Sequence, residues 1–330
     1  MGYFKFILEK YKGPNSRYTC VGCGKRRQFS RYISIETGEY LADHVGICNR
    51  KIQCGYHYSP KQYFADTGLC EAVNYRTRIG PRLVPSKQIM SFPKGIVKKS
   101  LLVSSYKRNS FINFLLKFID EKTVSNLVED YFIGTSNHWP GATVFWLIDG
   151  KGQCVGGQVV SFDSTTGHTL RVKGKRCTTW AHKALQQKFV EEGRGVPVWL
   201  KEYIEHAEKF PVPFGLHLAL QEQNKPVAIV EAPKTAVIAS AFFSEFIWLA
   251  IGSLSWLNQQ RLHSLAGREI VLFPDISMNG RAFDLWSAKA NELKDFANIT
   301  VSDFLEHVAT GEEKVKGLDL ADYLIRCYFN

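Results

Sequence analysis

The sequence predicts a multi-domain protein of the α/β class. An amino-terminal β unit held by cysteines would be followed by a mixed α+β segment and an α/β domain on a mainly parallel sheet. Three observations predict it. The runs Val227-Ala-Ile-Val and Glu269-Ile-Val-Leu-Phe are short, β-branched and apolar throughout. Strands covered by helices on both faces have this composition, and each run leads through turn residues into a helical pattern. Cys20, Cys23, Cys48 and Cys54 sit in a basic, β-rich stretch. Between these regions, strand-like runs alternate with glycine turns, as in Tyr131-Phe-Ile-Gly and Gln158-Val-Val-Ser-Phe-Asp163.

The cysteines come first in chain order. Two thiolate pairs, one a Cys-x-x-Cys knuckle, suit a closed tetrahedral Zn²⁺ site. Phe29-Ser-Arg-Tyr-Ile-Ser-Ile and Glu39-Tyr-Leu flank Glu36-Thr-Gly38, a hairpin turn. Residues 1–62 therefore read as a zinc ribbon, with Phe29 in its small core and the metal supplying much of its folding free energy. His44 and His57 read as surface or supporting residues. Four unrelated cysteines is the alternative. Disulfides fit less well, because the start of the chain is too charged for a signal peptide and a cytoplasmic protein is expected. Cys70, Cys154, Cys177 and Cys327 are scattered.

Charge is unevenly placed. Of the formal +11, residues 1–110 carry +14 and the remainder −3. A basic amino-terminal third set apart from an acidic centre suits a nucleic-acid grip. Lys25, Arg26, Arg27 and Arg31 are interleaved with Phe29 and Tyr32, and Tyr56, Tyr58, Tyr63 and Phe64 follow. Cations that track phosphates beside rings that stack on bases point to single-stranded DNA. Arg171-Val-Lys-Gly-Lys-Arg176 alternates like one strand, which would send Arg171, Lys173 and Lys175 to one side.

Residues 63–125 form a basic connection and helices, with Pro81, Pro85 and Pro93 interrupting any long helix. Ser110–Ile119 and Lys122–Glu129 read as two helices, the second running to about Phe132. Residues 126–225 read as the α+β subdomain, helical in part from 183 to 210 with a break near Gly193–Pro197. From 226 to 330 the order expected is strand, helix 234–243, strand Phe246–Ile251, helix, strand Glu269–Phe273 and helix 281–297. No apolar run is long enough for a membrane span.

Glu231 closes one buried run and Asp275 follows another. Acids at the carboxyl ends of parallel strands lie where open α/β sheets bind ligands, and two of them can hold Mg²⁺ beside phosphates. Val-Glu231-Ala-Pro-Lys234-Thr-Ala and Asp275-Ile-Ser277-Met-Asn-Gly280 resemble the two acidic motifs of the Toprim domain. That domain is shared by bacterial-type primases, type IA and II topoisomerases and some nucleases. The second motif departs at one place: its second acid is Ser277. Lys316-Gly-Leu-Asp319-Leu-Ala-Asp322 resembles the Asp-x-x-Asp that closes many primase Toprim domains. The alternative is an ordinary α/β domain whose strand-end acids cap helices.

A zinc ribbon, the middle segment from Tyr131 to Arg176, and Pro213-Phe-Gly-Leu216 leading into the first Toprim strand together resemble bacterial, phage and plasmid primases. In particular they are similar to a zinc-ribbon plus Toprim-like family of mobile genetic elements. The resemblance implies nucleotidyl transfer making short primers on single-stranded DNA from nucleotide triphosphates. Glu231 and Asp275 would hold Mg²⁺ or Mn²⁺, and Lys234 would face phosphate. Asp319 or Asp322 would restore the charge that Ser277 lacks, while Arg171, Lys173 and Lys175 would steady template or nucleotide. A separate replicative helicase would be a partner, since the chain has no P-loop. The competing expectation is a catalytically degraded Toprim protein acting as a DNA-binding accessory module. A Toprim nuclease or a topoisomerase fits less of the chain.

Overall fold

The computed structural model describes residues 6–67 and 87–329; Cys70, Pro81 and Pro85 lie outside them. The described chain falls into two units, an amino-terminal one and a larger one holding residues 87–276 and 282–329.

The amino-terminal unit is an antiparallel sheet of β1 (Phe6–Leu8), β2 (Phe29–Ser34), β3 (Gly46–Cys48) and β4 (His57–Tyr58), in that order. The expected hairpin is present. Ser34 N–H donates to Glu39 O and Gly38 N–H to Ser34 O, with Gly38 at φ 74° and Ile33 bridged to Tyr40. Phe29 is fully buried against Cys20 and Cys48. Gly46 is required opposite it, since a Cβ there would lie 2.2 Å from Ser30 O and 2.6 Å from the Phe29 ring.

Two knuckles present the four thiols. In the first, Gly24 N–H donates to Cys20 O and Cys20 N–H to Lys25 O; in the second, Cys54 N–H donates to Arg50 O and Cys48 N–H to Tyr56 O. The four sulfurs lie within 4.8 Å of one another, Cys20 and Cys54 at 3.7 Å. Zinc–sulfur bonds of about 2.3 Å in a tetrahedron place sulfurs about 3.8 Å apart, so the set fits Zn²⁺. The Cys23 pKa falls to about 7; burial opposes the shift, and the Lys25 backbone N–H and the neighbouring thiols favour the thiolate. Neither histidine joins the set: His57 bonds the Tyr32 hydroxyl and His44 stacks on Tyr58.

The larger unit contains two four-stranded sheets. The first is antiparallel, in the order β10-β7-β6-β5, from β5 (Ile133–Ser136), β6 (Ala142–Ile148), β7 (Cys154–Val160) and β10 (Thr178–Trp180). All seven residues of β6 are buried. A two-stranded hairpin, β8 (Arg171–Val172) and β9 (Lys175–Arg176), stands apart from it. The second sheet is wholly parallel, in the order β12-β11-β13-β14, from β11 (Val227–Val230), β12 (Ile247–Ala250), β13 (Glu269–Leu272) and β14 (Asn298–Val301). β11 is buried throughout, as its unbroken apolar run requires.

The two sheets share one core. Phe214 exchanges backbone hydrogen bonds with Ala250 of β12, and the Tyr131 hydroxyl donates to Trp248 O. Gly215 makes that junction possible: it sits at φ 83°, and a Cβ would lie 2.8 Å from Trp248 O.

The expected helices form at Ser110–Leu115, Glu121–Asp130, Ala181–Glu191, Val198–His206 and Pro233–Phe242. The expected break falls between Glu191 and Val198. The helix expected over 281–297 ends at Glu292, and β14 follows within a few residues. No helix among the described residues is long and apolar enough to cross a membrane.

The cysteine geometry makes a direct prediction. The purified protein will carry about one zinc per chain by elemental analysis, and Cys48→Ser will lose it. Because such a metal supplies on the order of 10 kcal/mol, amides of β2 and β3 will then exchange rapidly while β11 stays protected. Equal protection of β2 with and without zinc would refute a structural role.

Candidate functional site

The parallel sheet reverses its direction of growth at its centre. From β11 the chain moves outward to β12; it then returns to the other side of β11 as β13 and continues outward to β14. The carboxyl ends of β11 and β13 therefore flank the crevice where an open α/β sheet receives its ligand. Glu231 is the first residue after β11, and Asp275 lies three residues beyond β13. Phe273 N–H still donates to Ile229 O, which holds the two strand ends side by side, and Ile276 N–H donates to Leu318 O, which brings Asp319 to the same place.

Glu231, Lys234, Asp275, Asp319 and Asp322 line an open cavity of about 490 Å³, with Arg171 and Arg176 also in its wall. Pro233 opens the helix Pro233–Phe242, a position where its missing N–H costs nothing. That helix presents Lys234 and Thr235 to the acids. Asp319 and Asp322 open the helix Leu320–Phe329 as a reciprocal cap: Asp322 N–H donates to Asp319 Oδ1 and Asp319 N–H to Asp322 Oδ2. Their outer oxygens are also engaged, Asp319 Oδ2 by the Thr235 hydroxyl at 2.8 Å and Asp322 Oδ1 by Lys234 Nζ at 3.3 Å. Asp319 and Asp322, which follow no strand, thus cap a helix, whereas Glu231, the acid at the end of β11, caps none. The Glu231 and Asp275 carboxylates accept no hydrogen bond from any described residue.

The electrostatics follow from that arrangement. Burial raises the Asp275 pKa well above the ordinary carboxylate range, and Asp319, Glu231 and Asp322 push it further. Glu231 is raised by burial and by Asp319, and lowered again in part by Arg176. For Lys234, burial favours the neutral amine, and Asp319 and Asp322 outweigh it, so the ammonium is held charged. Two carboxylates without hydrogen-bond donors, repelled by two more, form a donor set that a hard divalent cation fits. Among the described residues, only the four cysteines have ligand atoms gathered within 4.8 Å; the carboxylates are more widely spaced.

The structure corrects the reading of the basic run from 171 to 176. It is a hairpin with Lys173 and Gly174 in the turn at φ 49° and 77°, the left-handed pair that a tight two-residue turn demands. Arg171 pairs with Arg176, and Val172 with Lys175. Arg171 and Arg176 therefore share a face and reach the cavity, whereas Lys173 and Lys175 do not line it. Arg176, His168 and Thr235 were missed as site residues. Only the fold brings the first two to the cavity, but Thr235 follows Lys234 directly and was open to view.

In the amino-terminal unit, Lys25, Arg26 and Arg27 are exposed. Arg31 is instead held 3.8 Å over the Tyr18 ring and paired with Asp43 at 2.9 Å. The aromatics largely pack on each other, Tyr58 and Tyr63 around His44 and Tyr63 on Phe64. Tyr56 covers Gly22 and packs on Phe29.

Comparison with known proteins places the chain. It belongs to the family described as Domain of unknown function (DUF6371), which matches residues 109–276. A second family, described as a zinc beta-ribbon finger, matches residues 4–69. Together with the cysteine cluster, that match supports structural zinc. No protein of curated function matches.

Among solved structures, the chain is similar to the primase fragment of the bacteriophage T7 primase-helicase protein. Identity is 13%, 90% of each chain is covered and the TM-score is 0.34. It is similar to the DnaG catalytic core at 9% identity over 71% of this chain and 81% of the other, with a TM-score of 0.40. For the E. coli primase catalytic core the values are 11%, 71%, 81% and 0.38. Scores this low carry no argument about activity.

Burial of Asp275, together with repulsion from its neighbours, predicts a pH-dependent cost to stability. Its folded pKa is raised, so the native state loses stability as pH climbs from the unfolded value, about 3.9, through the folded one. Asp275→Asn will raise the melting temperature in buffer without added Mg²⁺ or Mn²⁺, on the order of a few degrees. The gain will be larger at pH 8 than at pH 5.5. A gain independent of pH, or a loss at pH 8, would show that the carboxylate is not held against repulsion.

Proposed function

We propose that this chain is a primase-like nucleic-acid protein carrying out metal-dependent nucleotidyl transfer on single-stranded DNA. The observation that carries the reading is the meeting of Glu231 and Asp275 at the sheet's reversal point, with Arg171 and Arg176 in the wall of the same cavity. Placing anion-binding cations and cation-binding carboxylates around one cavity suits a substrate that brings phosphates and a divalent metal together. The Toprim-like and primase-like motifs agree with it.

In this reaction a 3′ hydroxyl attacks the α-phosphorus of a nucleotide triphosphate. A new P–O bond forms, the bond to pyrophosphate breaks, and the hydroxyl proton is lost to solvent or a carboxylate. Mg²⁺ or Mn²⁺, when bound, would stabilise charge on the attacking and leaving oxygens. Glu231 and Asp275 would hold it. Arg171 and Arg176 would bind the triphosphate, and Lys234 would keep the capped acids Asp319 and Asp322 in place. Exposed Lys25, Arg26 and Arg27 would hold the DNA backbone. Zinc would remain structural, and unwinding would fall to a separate helicase.

A second reading has its own support: Ser277 replaces an acid of the Toprim pattern, and the carboxylates are spread wider than a preformed metal centre. On that reading the chain is an accessory of a mobile element that binds single-stranded DNA.

One experiment separates the two. Primer synthesis on single-stranded DNA with labelled nucleotides and Mg²⁺ or Mn²⁺ will occur with the wild type and fall at least about 100-fold in Glu231→Gln, with DNA affinity unchanged. Arg176→Ala will weaken nucleotide binding about tenfold, and Lys175→Ala will leave it within about twofold. Absence of products from every protein, with tight DNA binding lost only in the Arg26→Ala, Arg27→Ala double variant, would favour the accessory reading.

A further inference from the structure

The charge of the cavity bears on how many cations it can take. Four carboxylates would match two divalent ions, a common arrangement in phosphoryl-transfer centres. The four are not equivalent. Every carboxylate oxygen of Asp319 and Asp322 already accepts a hydrogen bond, from two backbone N–H groups, the Thr235 hydroxyl and Lys234 Nζ. The Lys234 side chain is 13% exposed and lies 3.3 Å from Asp322 Oδ1. Glu231 and Asp275 have no such donors, follow the neighbouring strands β11 and β13, and line the same cavity. One pair of acids is therefore already engaged by a fixed ammonium and three neutral donors, and the other pair is open.

We infer that Lys234 stands in for a second divalent cation, so that the centre takes one Mg²⁺ or Mn²⁺, on Glu231 and Asp275, and not two. The inference rests on the proposed metal-binding role of those two acids and adds the stoichiometry and the residue that sets it. An ammonium cannot be displaced as a hydrated ion can, because the chain tethers it. Its one charge, on a buried stem, also opposes a dication at Asp322 Oδ1, the oxygen it holds.

The test is a titration of the full-length, zinc-loaded protein with Mn²⁺, counting bound ions by the electron paramagnetic resonance of free Mn²⁺, with no nucleotide present. The wild type will bind one Mn²⁺. Asp275→Asn will weaken that binding at least about tenfold. Lys234→Met, which keeps the stem and removes the charge, will bind two, and Lys234→Arg will bind one. Circular dichroism checks that the variants fold, and Lys234→Gln repeats the count if the methionine variant does not.

Two ions on the wild type overturn the inference whatever the variants do, and so does a count that stays at one in every folded neutral variant. No Mn²⁺ on either wild type or Lys234→Met removes the metal-binding reading together with the inference. A wild-type count of one with no change in the neutral variants removes the inference alone.

Discussion

The order of the four parallel strands is the constraint on which the site depends. Because β12 and β13 lie on opposite sides of β11, the connections leaving β11 and β13 diverge and leave a gap above their carboxyl ends. A sheet that grew in one direction would have closed that gap with a crossover helix. Buried apolar strands make the placement rigid: β11 has no exposed residue, and Ile270 and Leu272 of β13 are fully buried. A carboxylate one residue past such a strand cannot retreat to solvent without unpairing the ladder. The hydrophobic effect, acting on strands that touch no ligand, thus fixes the positions of charges that would otherwise separate.

That fixation explains the division of labour among the acids. Asp319 and Asp322 are stabilised where they are by the helix they open, since each carboxylate satisfies an N–H that would otherwise lack a partner. Thr235 and Lys234 then tie that helix end to the helix Pro233–Phe242. Glu231 and Asp275 gain nothing comparable. Their ionisation is opposed both by burial and by their neighbours. Residues in such a state lower the stability of a fold, and unfavourable ionisation gathered in a cavity is what the proposed ligand site would require.

How much of this was legible in the sequence depended on whether the signal was local. The cysteines were legible because Cys20-x-x-Cys23 has the spacing of a metal knuckle and Cys48 and Cys54 supply a second pair in the same β-rich stretch. Glu231 and Asp275 were legible because a buried parallel strand is a continuous apolar run with an abrupt polar end. β14 was not: Asn298-Ile-Thr-Val alternates exposed and half-buried residues, so as an edge strand it lacks the run that betrayed its neighbours. It also follows the amphipathic helix Arg281–Glu292 closely enough to be absorbed into it. The arginine face was misread for a different reason. Arg171-Val-Lys-Gly-Lys-Arg176 alternates correctly for a strand, and only Gly174, free to take φ 77°, told of a turn. A turn after Val172 reverses the chain and places the residues five apart on one face. Thr235 was overlooked because a threonine inside a helix usually answers to its own backbone, and its partner here is 84 residues away.

Lys234 lowers the negative charge of the cavity from within. As it stands, four carboxylates face the three cations Lys234, Arg171 and Arg176 around the cavity, which leaves one net negative charge when all are ionised. Phosphates approaching that cavity alone meet repulsion from its open pair of acids. On the proposed metal-binding reading, a single divalent cation on that pair would turn the balance to one net positive charge, and the arginines could then act on an anion without opposition. A site with a fixed internal cation would need fewer divalent ions, and on the proposed metal-binding reading an order of assembly with metal first and phosphate second would follow from its charge.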